Sequence, residues 1–482
     1  MYFQQFYLSC LAHASYMVGS EGEAAVVDPQ RDVEIYLQEA QRQGLKITYV
    51  IETHMHADFV SGHRELAART GAQICVGARA GAQFPHIAVR DGDELRIGKC
   101  LLRFLETPGH SIDSICAVLY DLEGKDAPGD PWGVFTGDTL FIGEVGRPDL
   151  SPHYTPHQLA GMLYDSLQQK LLTLPDSCRI YPAHGAGSLC GRNISSGTQS
   201  TIGHERALNY ALRPRTREEF VELLTSEFPD RPEYFLRDAQ LNRVGAAMIN
   251  ELPELVPLAP EEVLRKQSSG CVVLDTRTPA QFGAGHVPGS IHIGLCGQYA
   301  SWAGTLIGLD TPIILVVAGP AELQEAQVRL ARVGIERIIG FLGGPGSEGP
   351  EASAQAIVAW QSVGLPLNEV PQISVLDLYE QLCDQPNEIQ VVDVRRPVEW
   401  EAGHIAQARL MPLNRLRTLV HDLDTQRPIA VHCKSGYRSS IGASLLLRAG
   451  FKQVMNVVGG FEAWQTQKLP VAAEKAAAQA AG

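Results

Sequence analysis

Thr53-His54-Met55-His56-Ala57-Asp58-Phe59 sets two histidines around one residue, with an aspartate two positions further on. Ahead of it, Ile47-Thr48-Tyr49-Val50-Ile51-Glu52 is β-branched and apolar and reads as a buried strand. Behind it, the sequence predicts a helix capped by Ser61 and running through Arg69. The ligand-type side chains therefore fall on a tight loop at a strand's C-terminal end, where side chains converge on a site. One isolated histidine would read as a satisfied core or surface group. A His-x-His-x-Asp group on a strand-to-helix loop points to a bound metal.

Further loops supply partners for such a site. Thr107-Pro108-Gly109-His110-Ser111 follows the strand-like Leu101-Leu102-Arg103-Phe104-Leu105. Thr136-Gly137-Asp138-Thr139 follows Trp132-Gly133-Val134-Phe135, and Tyr181-Pro182-Ala183-His184-Gly185 follows Cys178-Arg179-Ile180. Each time a short apolar run ends in one His or Asp beside Gly or Pro. Four such loops in this order resemble the metallo-β-lactamase superfamily, over roughly the first 210 residues. The resemblance implies an αββα sandwich.

The chain's bulk properties fit a multidomain globular protein. It has 482 residues, 45% of them hydrophobic, which points to two to four domains. A net charge of −14 disfavours a nucleic-acid partner. No apolar run approaches the roughly 20 residues of a membrane span. The start, Met1-Tyr2-Phe3-Gln4-Gln5-Phe6-Tyr7-Leu8, reads as a strand and not as a signal peptide. Ten cysteines without a CxxC or regular spacing do not form a disulfide framework, so a cytoplasmic protein with reduced thiols is expected.

Beyond the Pro-rich stretch from Leu252 to Pro260 lies an internal repeat. Val272-Val273-Leu274-Asp275-Thr276-Arg277 returns as Val391-Val392-Asp393-Val394-Arg395, and Gly285-His286-Val287 as Gly403-His404-Ile405. Strand and helix alternate in each copy, so each is expected to build a parallel sheet covered by helices. Strand, Asp-x-Arg and Gly-His-Ile/Val together resemble the rhodanese fold, twice over. The expected organisation is a metal-binding domain over residues 1–250, rhodanese-like domains over 258–365 and 370–470, and a disordered Ala-rich tail over 472–482.

The copies differ at one loop. In the second, Cys433-Lys434-Ser435-Gly436-Tyr437-Arg438-Ser439 joins a buried strand to a helix, so backbone N–H groups and Arg438 favour negative charge on the Cys433 sulfur. Matching Gly334 to Gly450 puts Val317 of the first copy opposite Cys433, and valine offers no nucleophile. Cys433 and Arg438 are five positions apart, which resembles the sulfurtransferase loop and not the longer phosphatase loop. That resemblance makes Cys433 and Arg438 catalytic, with Lys434, Ser435, Gly436 and Tyr437 lining the substrate.

Within the metallo-β-lactamase superfamily, two-metal hydrolases carry a histidine where this chain has Phe59. Two histidines and one carboxylate with open positions suit a mononuclear ferrous oxygenase, and Asp138 is the obvious carboxylate. The chain resembles persulfide dioxygenase–sulfurtransferase fusions. That resemblance implies one Fe(2+) per chain on His54, His110 and Asp138, with His56, Asp58 and His184 orienting ligands, water or oxygen. The residues themselves do not say why His54 outranks His56. Arg147 is a candidate for pairing with substrate, a surface salt bridge being the alternative. Cys190 reads as an inert buried thiol, a sulfur relay being the alternative. The expected activity is oxidation of a small-molecule persulfide by O₂ to sulfite and free thiol. It is coupled to a Cys433 persulfide that makes or consumes thiosulfate in clearing sulfide. No nucleic-acid or membrane partner is expected, and a homo-oligomer is left open. The alternatives are a zinc thioester hydrolase of the hydroxyacylglutathione type joined to a sulfurtransferase, and a persulfide sensor or carrier without turnover.

Overall fold

A computed structural model describes residues 1–473 except 125–128, 152, 193, 215, 227, 229–230 and 345–348. The chain divides into two compact units, Met1–Pro253 with Val328–Glu336, and Glu254–Gln327 with Arg337–Gly482.

The first unit contains two six-stranded sheets, each with its strands in chain order. One runs from Tyr2–Leu8 to Ile87–Val89, and the other from Glu94–Ile97 to Ser200–Thr201. Apolar side chains from both sheets, among them Tyr16, Val27, Ile51, Phe104, Ile115 and Phe135, share one buried core. The helices Glu34–Gln43 and His63–Thr70 bring Tyr36 and Leu66 to a second core on the outer face of the first sheet. Pro156–Gln169 brings Leu163 and Leu167 to a third core on the outer face of the second sheet. This is the αββα layering, and the strand Lys46–Ile51 is central to it, paired in parallel on both sides. The helix after the His-x-His-x-Asp loop begins at His63, with Gly62 at its N-cap and no side-chain cap. Ser61 lies one residue before the N-cap, yet its Oγ accepts from the N–H of His63, the first helical residue, at 3.3 Å, while its hydroxyl proton faces the Pro29 carbonyl and Glu52.

The second unit holds two five-stranded parallel sheets of the same strand order. In the first, Val272–Asp275 lies between Ile313–Val316 and Ile291–His292. In the second, Gln390–Asp393 lies between Ile429–His432 and Ala408–Leu410. The duplication extends to side chains. Asp275 holds Arg277, whose Nη2 donates to the Gly285 carbonyl, as Asp393 holds Arg395, which donates to Gly403. His286 stacks on Phe282 at 3.8 Å and His404 on Trp400 at 3.7 Å. Asp275 registers with Val316 and Asp393 with His432, so Val317 and Cys433 occupy equivalent positions. Ala472 pairs with His404 through two backbone hydrogen bonds, and the remainder of the expected tail, 474–482, lies outside the described residues. Among the described residues no helix is long and apolar enough to cross a membrane.

Candidate metal centre and sulfur-transfer loop

Four strand ends build the metal centre. His54 follows Lys46–Ile51 in the first sheet. In the second sheet, His110 follows Cys100–Glu106, Asp138 follows Gly133–Gly137 and His184 follows Arg179–Pro182. Glycine is required where the loops close on one another. Gly137 has φ +51° and its Cβ would lie 2.5 Å from Thr53 Oγ1. A Cβ on Gly146 would collide with the Asp138 carbonyl and the His110 ring.

The hydrogen-bond partners fix which atoms are free. His110 Nδ1 is 3.0 Å from the Arg147 carbonyl, which can only accept, so Nδ1 carries the proton and the Nε2 lone pair is free. The Thr53 hydroxyl donates to Asp28 Oδ2 at 2.9 Å and accepts from His54 Nδ1 at 3.1 Å, which frees His54 Nε2. Both Nε2 atoms face Asp138 Oδ2, at 3.8 Å from His54 and 3.4 Å from His110. His54 Nε2 and Asp138 Oδ2 are buried without a hydrogen-bond partner. Two buried lone-pair atoms facing one another without a proton between them are costly unless a cation joins them. The donor set therefore fits a bound metal, and His54, His110 and Asp138 are close enough to share one ion.

The remaining candidates face carboxylates. His184 Nδ1 donates to Asp138 Oδ1 at 2.7 Å, and its Nε2 is 2.9 Å from Asp58 Oδ2. Burial works against charging His184, but Asp138 and Asp58 outweigh it and hold the imidazole well above its ordinary range. Burial likewise opposes the Asp138 charge, but His184, His54 and His110 hold its carboxyl well below the usual carboxylate range. Burial pulls His54 and His110 down, helped at His54 by its neighbour His56. His56 Nε2 turns to Asp28 Oδ1 at 3.2 Å and Glu52 Oε2 at 3.6 Å. Phe59 is fully buried, with its ring 4.1 Å from that of His13 and 4.4 Å from that of His56. His63 packs on Phe84 and faces Glu52.

Arg147 is 3% exposed, and its guanidinium engages both Asp149 oxygens and the Leu189 carbonyl. What it presents to the centre is its backbone carbonyl, on His110. Burial pushes the Cys190 thiol well up, which disfavours a reactive thiolate. The sequence alone assigned no role to Asp28 or to Thr53. Asp28 ends the strand Glu23–Val27, the parallel neighbour of the motif's own strand, so the sheet delivers both to one edge. We expect Thr53→Val to lower metal affinity about 10–100-fold, because it cuts the tether between Asp28 and a ligand histidine. Competition with a chelator of known affinity measures the change.

In the second unit, Cys433 ends the strand Ile429–His432 and precedes the helix Tyr437–Arg448. The Gly436 N–H donates to Cys433 Sγ at 3.1 Å, and Ser439 Oγ lies 3.5 Å from it. Gly436 has φ +106°, a conformation glycine adopts freely. Lys434 and Ser435 are exposed at the loop's tip, and Lys434 is 3.3 Å from Glu462. Arg438, expected beside the sulfur, is gripped by Glu399 through two contacts of 2.7 Å. Burial opposes the Glu399 charge, but Arg438 outweighs it and brings the carboxyl down to about 2. Tyr437 turns its hydroxyl to the Gly294 carbonyl.

Comparison with known proteins agrees with both units. The metallo-beta-lactamase superfamily profile matches residues 8–184, and the rhodanese-like domain profile matches 259–344 and 375–467. The chain is 31% identical over 227 residues to mouse (Mus musculus) persulfide dioxygenase ETHE1, mitochondrial, covering 45% of this chain and 78% of that protein. It is 32% identical over 166 residues to a hydroxyacylglutathione hydrolase of Polaromonas sp., covering 34% of this chain and 57% of the hydrolase. Among solved structures, a metallo-beta-lactamase from Staphylococcus aureus subsp. aureus COL superposes with a TM-score of 0.63 at 30% identity, over 71% of this chain and 98% of that one. With two matched rhodanese-like domains following a metal centre of this kind, the chain belongs to the persulfide dioxygenase family of the metallo-beta-lactamase superfamily, in the form of a fusion with two rhodanese-like domains.

Proposed function

We propose that the first unit is an iron persulfide dioxygenase and that Cys433 of the second transfers the sulfane sulfur of the same metabolites, in sulfide detoxification. The observation that carries this reading is the state of the nitrogen atoms. His54 and His110 present free Nε2 atoms to Asp138 Oδ2, while His56 Nε2 is turned to Asp28 and Glu52, and His184 spends Nδ1 on the other Asp138 oxygen and turns Nε2 to Asp58. That leaves two imidazoles and one carboxylate for one ion, the set suited to non-haem ferrous oxygenases. One Fe(2+) held there supplies the redox chemistry that lets O₂ react with a persulfide. Phe59 gives no donor where the two-metal hydrolases have a histidine, which supports one metal over the two zincs of a thioester hydrolase.

The protein's own groups do the rest. Asp138 divides its oxygens, Oδ1 accepting from His184 and Oδ2 left for the ion. The Thr53 and Arg147 contacts hold the two ligand rings in the tautomer that presents Nε2. Burial of all three donors excludes bulk water from the reacting groups. The overall reaction takes R–S–S⁻, O₂ and water to R–SH, sulfite and a proton. At Cys433 the thiolate attacks the outer sulfur of R–S–S⁻, forming Cys433–S–S⁻ and releasing R–S⁻. Sulfite then takes that outer sulfur, forming thiosulfate and restoring the thiolate, and the same step run backwards consumes thiosulfate.

Oxygen uptake with a series of small-molecule persulfides tests the proposal, with sulfite and thiosulfate measured together and metal assayed on protein purified without added metal. One iron per chain and persulfide-dependent uptake are expected. Two zincs with thioester hydrolysis and no oxygen uptake would reject it.

A further inference from the structure

Tyr437, Ser440, Ser444 and Arg448 recur at helical spacing and form one face of the helix that begins beside Cys433. Every one of them meets residues 289–294 of the first rhodanese copy. The Tyr437 hydroxyl donates to the Gly294 carbonyl at 3.0 Å, and Arg448 Nη1 donates to the Gly289 carbonyl at 2.7 Å. Between them lies His292, whose N–H donates to Ser444 Oγ at 3.0 Å and whose Nδ1 is 2.9 Å from Ser440 Oγ. His292 Nε2 is 2.8 Å from the Arg277 carbonyl, which can only accept. The ring proton is therefore on Nε2, and Nδ1 accepts from the Ser440 hydroxyl.

His292, Ser440 and Ser444 are each at most 1% exposed, so an unmatched partner would be buried at a cost. The repeat shows that this polar contact belongs to the first copy. Asp275 registers with His292, and the equivalent Asp393 of the second copy registers with Leu410. The same helix carries, in or just before its first turn, the groups around the sulfur. These are the Gly436 N–H at 3.1 Å and Ser439 Oγ at 3.5 Å. Ser440 is the next residue.

We propose that His292 of the copy without a loop cysteine is a positioning residue for sulfur transfer at Cys433, acting through Ser440 to hold the first turn of the helix against the sulfur. The proposal rests on the sulfur-transfer reading of Cys433. It gives the first copy a part in the reaction without a nucleophile of its own. With the ring in place, the Gly436 N–H is already aimed when the persulfide forms. Without it, the turn must be ordered at each transfer, which lowers turnover more than thiosulfate affinity.

The test is made on the full chain with its metal. His292→Leu installs the residue of the second copy and removes the acceptor, while His292→Asn keeps an acceptor near the Nδ1 position. We expect His292→Leu to lower kcat for thiosulfate:cyanide transfer about tenfold with KM changed less than twofold. Persulfide-dependent oxygen uptake should be unaltered. His292→Asn should recover most of the loss, and Ser440→Ala should add nothing to His292→Leu in the double variant. Amide hydrogen exchange at residues 434–441 reads positioning without turnover and should be faster in His292→Leu. Parent-like kcat and exchange in His292→Leu would overturn the proposal. So would equal losses in the Leu and Asn variants that follow a lowered unfolding midpoint. A parent chain without cyanide-dependent transfer would overturn the sulfur-transfer reading, and the exchange comparison would still decide whether His292 holds the turn.

Discussion

Asp138→Ala is expected to leave the chain without bound iron and without persulfide-dependent oxygen uptake, while sulfur transfer from thiosulfate to cyanide remains measurable. Among the described residues, Asp138 is the carboxylate that faces both free Nε2 atoms, at 3.8 and 3.4 Å. Alanine leaves two imidazoles, too few to hold a ferrous ion against water and buffer. It also releases His184, whose Nδ1 loses its acceptor while Nε2 still faces Asp58. Loss of an outer partner costs about 10–100-fold in metal affinity, and loss of a ligand should cost more. Cys433 lies in the other compact unit, so its chemistry should survive. Metal analysis, an oxygen electrode and a thiocyanate assay on one preparation check all three expectations. Full iron content with parent-like uptake would sink the ligand assignment.

The second large effect is at Cys433. Serine is nearly the same size, but its hydroxyl is a weak nucleophile near neutral pH. Cys433→Ser should keep the fold, since Gly436 N–H retains an acceptor there, and should keep the iron. Cyanide- and sulfite-dependent sulfur transfer should fall to background. Given persulfide and oxygen, the variant should still consume O₂, with product shifting from thiosulfate toward sulfite. Val317→Ala, at the equivalent place in the first copy, should reduce stability alone, through two methyl groups lost from a fully buried strand end. Chromatographic separation of sulfite and thiosulfate, corrected for the uncatalysed reaction of sulfite with persulfide, reads the shift. Thiosulfate formation equal to the parent's would remove Cys433 from the pathway.

The layers of both units were legible because their strands are short apolar runs that stop at Gly, Pro, His or Asp. The repeat was legible because Asp-x-Arg and Gly-His-Ile/Val recur in step. What could not be read was the direction of side chains within a loop. His54 and His56 have the same chemistry and lie two residues apart, and their surroundings separate them: Thr53 and Asp138 about His54, Asp28 and Glu52 about His56 Nε2. Arg147 and Arg438 advertised a cation, but each meets an acidic partner, Asp149 two residues on for Arg147, a buried form of the salt-bridge alternative, and the sequence-distant Glu399 for Arg438. Asp28 was hidden by its residue type. With φ +52° it is an aspartate in a conformation usually left to glycine, and Val-Asp-Pro reads as an ordinary turn.

The division of the metal donors between two sheets ties the ion to folding. His54 comes from one sheet, and His110 and Asp138 come from the other. Neither sheet alone supplies all three of these donors, so binding by this set needs the two closed over their common core. The ion then acts as a clasp for the sandwich and favours the closed, folded state by mass action. Each tenfold rise in free metal above its dissociation constant adds about 1.4 kcal/mol. The donor set lies within the first unit, so metal supply adds to the thermodynamic resilience of that unit and leaves the second to its own packing.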